Sequence, residues 1–271
     1  MGRGNEMHRY LRWCVAMTLV LTACTERAAA PPASRDVANV QAVRIDYQYM
    51  GWSFARESFN LVPAASGSDF ILLARLEGDD KAHDTGQRVP RRAMEELLAA
   101  ASAPAWSRER GVRAVASALK RDGAFTPQPF ASTESEACTP QQIKRVARAY
   151  VRRKGIVSLT DEHYGQGRSW TDDYPYARLH IQFRNGPPLR MYSDSQKAMM
   201  LPWYPGIPVD SPPESDQNWS LALSRALQEV LPRDSALYKR LGNDRPWFFR
   251  SDIGRLAEQE CEGMKARSKA E

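Results

Sequence analysis

The stretch "YARLHIQFRNGPPLRMYS", residues 176–193, decides the fold class. Leu179, Ile181 and Phe183 alternate with polar residues, which is the pattern of a half-buried β-strand. The Asn185-Gly186 dipeptide that follows is a typical hairpin turn, and apolar residues return at alternate positions after it. This stretch is therefore predicted to form an antiparallel hairpin with one face in a hydrophobic core.

Similar patterns on both sides of the hairpin predict an α+β fold. Residues 43–50 alternate like a strand, and two apolar runs flank Gly67-Ser68 as a second hairpin. Apolar residues at helical spacing predict helices after Pro90, over about 108–121, over 139–154, within 218–231 and in a last segment ending near Lys269. We expect an antiparallel sheet with helices packed on it. Each half reads as a hairpin that leads into a helix, which hints at two similar halves.

The N-terminal region resembles a bacterial lipoprotein signal. Three arginines precede an apolar run of about ten residues, which is too short to span a bilayer about 30 Å thick. The run ends in Leu21-Thr22-Ala23-Cys24, which resembles a lipobox. We therefore expect residues 1–23 to be cleaved as a signal peptide and Cys24 to carry three acyl chains, a strong anchor. An ordinary cleaved signal followed by a chance cysteine is the alternative.

The sequence after Cys24 predicts how the anchor is joined to the folded part. Residues 24–40 are rich in Ala, Pro and Ser and lack apolar periodicity, so they are expected to form a flexible tether. Residues 41–271 are expected to form the periplasmic domain. Thr25 replaces the aspartate that resembles an inner-membrane retention signal, and this favours the outer membrane, facing the periplasm.

Charge and cysteine content fit that compartment. The signal removes three basic residues and one acidic residue, so the net charge falls from +6 to about +4. The location excludes chromosomal DNA, and no nucleic-acid partner is expected; the charge favours membrane phosphates, anionic wall material or an acidic protein. Cys138 and Cys261 are the remaining thiols and are expected to form a disulfide in an oxidising compartment. Two free buried thiols are the alternative.

No complete catalytic or metal-binding motif is present in the sequence. It lacks a Gly-x-Ser-x-Gly elbow, a His-Glu-x-x-His pair and a glycine-rich phosphate loop, so neither a catalytic residue nor a cofactor is expected. The run Asp161-Glu162-His163 has no second distant ligand pair and is a weak metal candidate. His180 falls on the polar face of its predicted strand and is interpreted as a solvated histidine.

Two loops and one helix are candidate binding surfaces. The loops are residues 169–177 and 197–213, which are aromatic and, in the second case, stiffened by prolines that lower the ordering cost of binding. The second loop is either a cover over the core or a partly exposed binding surface. The helix 139–154 carries six basic residues, either as a solvated face or as a patch for lipid phosphates or an acidic partner. The predicted partner contacts are Trp170, Asp172, Asp173, Tyr174, Met200, Trp203 and Tyr204.

The lipobox and three further stretches carry a resemblance to a functional class. "VPRRAMEELLAAASAPAW" (89–106), "WTDDYPYARLHIQF" (170–183) and "MLPWYPG" (200–206) look like lipoproteins that serve as cognate immunity proteins of antibacterial effectors, including lipase effectors of type VI or type IV secretion systems. The resemblance implies a non-enzymatic inhibitor that binds a secreted effector in the periplasm, with the membrane contacted through the Cys24 lipid. An envelope assembly or scaffold lipoprotein is the alternative, followed by a periplasmic hydrolase that requires His163 or His180.

Overall fold

Seven antiparallel strands and seven α-helices make up most of the chain that the structure describes, which confirms the α+β prediction. The computed structural model describes residues 36–51, 54–65, 67–76, 81–125, 138–165, 175–209, 213–242 and 246–270. The strands are β1 (Val40–Met50), β2 (Phe54–Pro63), β3 (Phe70–Arg75), β4 (His83–Val89), β5 (Tyr176–Phe183), β6 (Leu189–Ser193) and β7 (Tyr204–Pro205). The helices are α1 (Arg91–Ser102), α2 (Arg108–Arg121), α3 (Pro140–Lys154), α4 (Ile156–Gly165), α5 (Leu221–Val230), α6 (Ala236–Leu241) and α7 (Pro246–Ala270).

The strands form one sheet in the order β4-β3-β2-β1-β5-β6-β7. The two predicted hairpins, β2-β3 and β5-β6, are confirmed, and β1 lies between them with antiparallel pairing on both sides. The two halves of the chain therefore contribute to the same sheet, joined where β1 pairs with β5.

Alternation along the strands divides the sheet into two faces. On β1, Val43, Ile45 and Tyr47 are buried and face the helices, and the corresponding residues of β2, β3 and β5 join them in the hydrophobic core. The intervening side chains form what we call the outer face, and they remain exposed or half-buried on β1, β2, β3, β5 and β6, apart from Ser58 and Tyr192. The described helices thus cover one face of the sheet, and no described helix covers the other.

The predicted helix boundaries hold where capping residues mark them. Thr139 and Gln142 form a reciprocal capping box at the start of α3, with Pro140 in its first turn. Gly155 ends α3 with φ of 81°, in the region that favours glycine. The chain then continues directly into α4, which was not predicted. No helix among the described residues is both long and apolar enough to cross a membrane.

Two predictions about chain connections are tested by the fold. The disulfide is confirmed: Cys138, just before α3, is bonded to Cys261 of α7, with Cα atoms 6.5 Å apart. The predicted end of the tether at residue 40 is wrong, because Val37 and Val40 are buried in the core and Asn39 hydrogen bonds to Asn185. These contacts place the start of the folded part before residue 41.

Candidate binding surface

Residues 197–209, here called the cover segment, run from the end of β6 across the core. Met200 and Trp203 are 0% and 1% exposed, so the prediction that these two side chains bind a partner is corrected: they are core residues. The physical reason is that Trp203 also pairs through its backbone N–H and C=O with Asn218, which fastens the segment to the chain before α5. The alternative prediction, a cover over the core, describes these residues.

Two serine hydroxyls hold the tightest part of the cover segment. Met199 and Met200 have φ of 68° and 49°, backbone angles that residues other than glycine rarely adopt. Their consecutive carbonyls accept hydrogen bonds from Ser224 and Ser193 respectively. Ser224 Oγ also accepts a hydrogen bond of 3.0 Å from Trp203 Nε1. Buried hydrogen bonds therefore fix this unusual backbone and the indole together.

The other predicted contacts fall at the edges of what the structure describes. Tyr204 is half-buried and stacks on Tyr192, with ring centroids 5.2 Å apart. Beyond it, Ile207 and Val209 are exposed apolar side chains. The predicted contacts Trp170, Asp172, Asp173 and Tyr174 lie outside the described residues, as does Cys24, the predicted lipidation residue.

The outer face of the sheet carries a concave pocket of about 540 Å³ between β1, β2, β3 and β5. We call it the arginine pocket, because its lining includes Arg44, Arg56, Arg75 and Arg178. Strand register explains the cluster. Ser58 of β2 lies opposite Arg75 on one side and Asp46 on the other, and Asp46 lies opposite Arg178. Side chains from four strands therefore form one row across the pocket.

The two carboxylates of the arginine pocket are engaged by groups of the protein itself. Asp46 accepts hydrogen bonds from Arg44 Nε at 2.8 Å and from Ser58 Oγ at 2.8 Å. Glu57 accepts the backbone N–H groups of Ala236 and Leu237, at 2.7 and 3.0 Å, at the N-terminus of α6. Neither carboxylate neutralises the remaining arginines of the pocket.

Within the described part of the chain, three guanidinium groups of the pocket form no ion pair with a carboxylate. Arg56 and Arg75 are exposed and make no hydrogen bond or ion pair to any described residue. Arg178 lies over the ring of Tyr176, 4.4 Å from its centroid, and Tyr176 donates a hydrogen bond to Gln48. The rim of the pocket is apolar at Phe54 and Leu76, which are 48% and 44% exposed.

The two candidate histidines sit in different surroundings. His180 is on the outer face, as predicted, between Arg44 and Arg190 in the strand register. Partial burial and these two arginines lower its pKa, and its Nε2 is buried without a hydrogen-bond partner among the described residues. His163 is on α4; burial first and the nearby Lys197 second lower its pKa to about 4. At neutral pH both imidazoles are therefore uncharged.

The acidic run before His163 is engaged in ion pairs. Asp161 pairs with Arg108 of α2 at 2.8 Å, and Glu162 pairs with Lys154 of α3 at 3.7 Å. Among the described residues, no group of three or more histidine, cysteine or acidic side chains is placed to hold a metal ion. These acids connect helices of the core layer.

Sequence reasoning missed Arg56 and Arg75. The sequence around them carries no signal for a site, because Arg75 ends the continuous apolar run Phe70–Ala74 and Arg56 begins the polar run Arg56-Glu57-Ser58. The comparisons with known proteins add no relative to this picture: no family model, curated protein or solved structure matches the chain.

Proposed function

We propose that this protein is a lipid-anchored periplasmic immunity protein that binds one cognate antibacterial effector and inhibits it. Acylated Cys24 holds the folded part at the outer membrane, facing the periplasm, through the tether that follows it. This part of the proposal rests on the lipobox and on the resemblance of residues 89–106, 170–183 and 200–206 to immunity lipoproteins.

The observation that carries the proposal is the outer face with its arginine pocket, which none of the helices seen in the structure covers. Protein interfaces are enriched in arginine and aromatic side chains, and a few of these supply most of the binding energy. The arginine pocket combines Arg56 and Arg75, which pair with no described residue, with exposed Phe54 on a sheet of paired strands. A surface held by paired strands loses little conformational freedom when a partner binds.

The disulfide supports the compartment. Structural disulfides persist in oxidising compartments such as the periplasm and are rare where thiols are kept reduced. The Cys138–Cys261 bond joins residues 123 positions apart and closes most of the C-terminal half of the folded part. A protein that meets an incoming effector in the periplasm benefits from such a covalent tie.

A competition assay in cells tests the proposal. A strain that lacks this gene is challenged by its parent, and survival is measured with the wild-type gene or Cys24→Ser restored. We expect survival with the wild type, and reduced survival with Cys24→Ser, because the protein then loses its lipid anchor. Equal survival of the deletion strain and its parent would contradict immunity, and a general envelope defect without effector sensitivity would favour the scaffold function. Loss of protection by His163→Ala without a weaker complex would favour a hydrolase.

A further inference from the structure

We infer that the arginine pocket receives the carboxylate side chains of an acidic segment on the protein partner. The identity of that partner rests on the proposed function, whereas its chemistry follows from the pocket. This inference replaces Met200 and Trp203 as the expected contact residues with Arg56, Arg75 and Arg178.

Charge complementarity identifies the occupant. Four arginines and two carboxylates line the pocket, and both carboxylates already accept hydrogen bonds from inside the protein. The exposed guanidiniums of Arg56 and Arg75, which have no partner among the described residues, are therefore available to acceptors on another molecule. A guanidinium matches a carboxylate with two parallel hydrogen bonds, which adds orientation as well as energy.

The shape and the rim of the pocket favour a protein over a membrane surface. A cavity of about 540 Å³ admits protruding side chains, whereas a flat layer of lipid headgroups cannot enter it. Phe54 and Leu76 at the rim then contact the apolar neighbours of the acidic residues. A membrane surface would instead fit the convex face of α3, where Arg145 and Arg148 are exposed.

The test compares two double variants of equal charge. Arg56→Gln/Arg75→Gln removes two positive charges from the arginine pocket, and Arg145→Gln/Arg148→Gln removes two from α3 as the matched control. Each full-length lipidated protein, in detergent micelles, is titrated into a fluorescein-labelled deca-glutamate peptide at about 50 mM salt. Soluble glycerol phosphate, the headgroup of phosphatidylglycerol, is added as a competitor in a second titration, and circular dichroism confirms folding.

We expect the pocket variant to bind deca-glutamate at least tenfold more weakly than the wild type, and the α3 variant to stay within about twofold. The inference is overturned if the wild type does not bind the peptide, or if both variants weaken binding equally. It is also overturned if glycerol phosphate, at concentrations equal to those of the peptide, binds through Arg56 and Arg75 and displaces the peptide, because the pocket would then fit a lipid headgroup.

The same variants separate this inference from the proposed function. If the wild type protects cells from the effector and Arg56→Gln/Arg75→Gln protects them equally well and binds the effector equally tightly, the docking site is wrong while immunity stands. If the wild type itself confers no protection, immunity is wrong, whatever the peptide titration shows. A tenfold or greater loss of effector affinity in the pocket variant alone supports both.

Discussion

Ser224 links three parts of the interior through one hydroxyl group. It accepts a hydrogen bond from the Trp203 indole and donates one to the Met199 carbonyl, while its own helix, α5, packs in the core. When a buried polar group loses its hydrogen-bond partner, the folded state is destabilised by the full desolvation free energy of that group. Ser224 is therefore a larger contributor to stability than its size suggests.

Replacing Ser224 by alanine should lower the free energy of unfolding by about 2–4 kcal/mol, because the Trp203 N–H and the Met199 carbonyl both lose a buried partner. Urea unfolding monitored by tryptophan fluorescence measures this change. Ser215→Ala is the matched control, since Ser215 is exposed, and we expect it to change the value by less than about 0.5 kcal/mol. Equal effects of the two variants would contradict the structural role of Ser224.

His163 should make stability depend on pH. Its pKa is lowered to about 4, against about 6.5 in an unfolded chain, so between these values the unfolded chain binds the extra proton. Stability is therefore fully present above about pH 6.5 and is lost as the pH falls towards 4. Between pH 7 and 4.5 the His163→Gln variant should lose about 1–2 kcal/mol less than the wild type in urea titrations. Parallel pH profiles for the two proteins would contradict this assignment.

At the scale of elements, α2 approaches the chain before α5 at a glycine. A Cβ atom on Gly111 would lie 2.6 Å from the Trp219 carbonyl oxygen and still closer to the Trp219 side chain. Gly263 of α7 has no such neighbour within 4 Å. The two glycines thus form a matched pair within helices.

Gly111→Ala should lower the free energy of unfolding by about 1–3 kcal/mol, because the overpacking exceeds the gain in helix propensity. Gly263→Ala should raise it by up to about 1 kcal/mol, since only the propensity changes. Chemical denaturation of both variants measures the difference. A stabilising Gly111→Ala would show that α2 can move away from Trp219 at little cost.

The disulfide fastens α3 to α7. Changing Cys138 and Cys261 together to serine should lower the free energy of unfolding by about 2–4 kcal/mol, because the unfolded chain regains a loop of 123 positions. Urea unfolding with and without a reductant measures this. The reductant should destabilise the wild type to the level of the double variant and leave that variant unchanged; a wild type insensitive to reduction would contradict the role of the bond.

Elements with strong local patterns could be predicted from the sequence, and weakly patterned ones could not. Alternation marks β1 and β5, and the capping box marks α3. By contrast, β4 is an edge strand in which only Val89 is buried, so its residues carry almost no apolar alternation. Gly155 correctly predicted the end of α3 but gave no sign that α4 begins at the next residue.

The candidate site depends on strand order, which local patterns do not contain. Arg75, Asp46 and Arg178 are far apart in the sequence and become neighbours only because β3, β2, β1 and β5 lie side by side. The burial of Met200 and Trp203 in the cover segment likewise depends on contacts that local patterns do not contain. Methionine and tryptophan are common both in interfaces and in cores. Here the hydroxyls of Ser193 and Ser224 hydrogen bond to the backbone of the segment and hold it against the core.

At the scale of the whole molecule, the proposed function requires binding rather than turnover. The outer face contributes positive charge, and the net charge of the whole chain is only +6, so the attraction to an acidic partner is local. Such local complementarity speeds association and fixes orientation. An inhibitor that works in this way binds its target in a fixed molar ratio.

Titration of effector activity tests this central claim most directly. A secreted toxin sought among the products of neighbouring genes is purified and mixed with increasing amounts of the full-length protein, and the remaining toxin activity is measured after short and long incubations. We expect activity to fall linearly, to reach zero at a fixed ratio near one molecule per effector, and not to change with incubation time. If a hundredth of an equivalent inactivates the toxin progressively with incubation time, the protein acts as a catalyst. Undiminished toxin activity at a tenfold excess of the protein would contradict inhibition altogether.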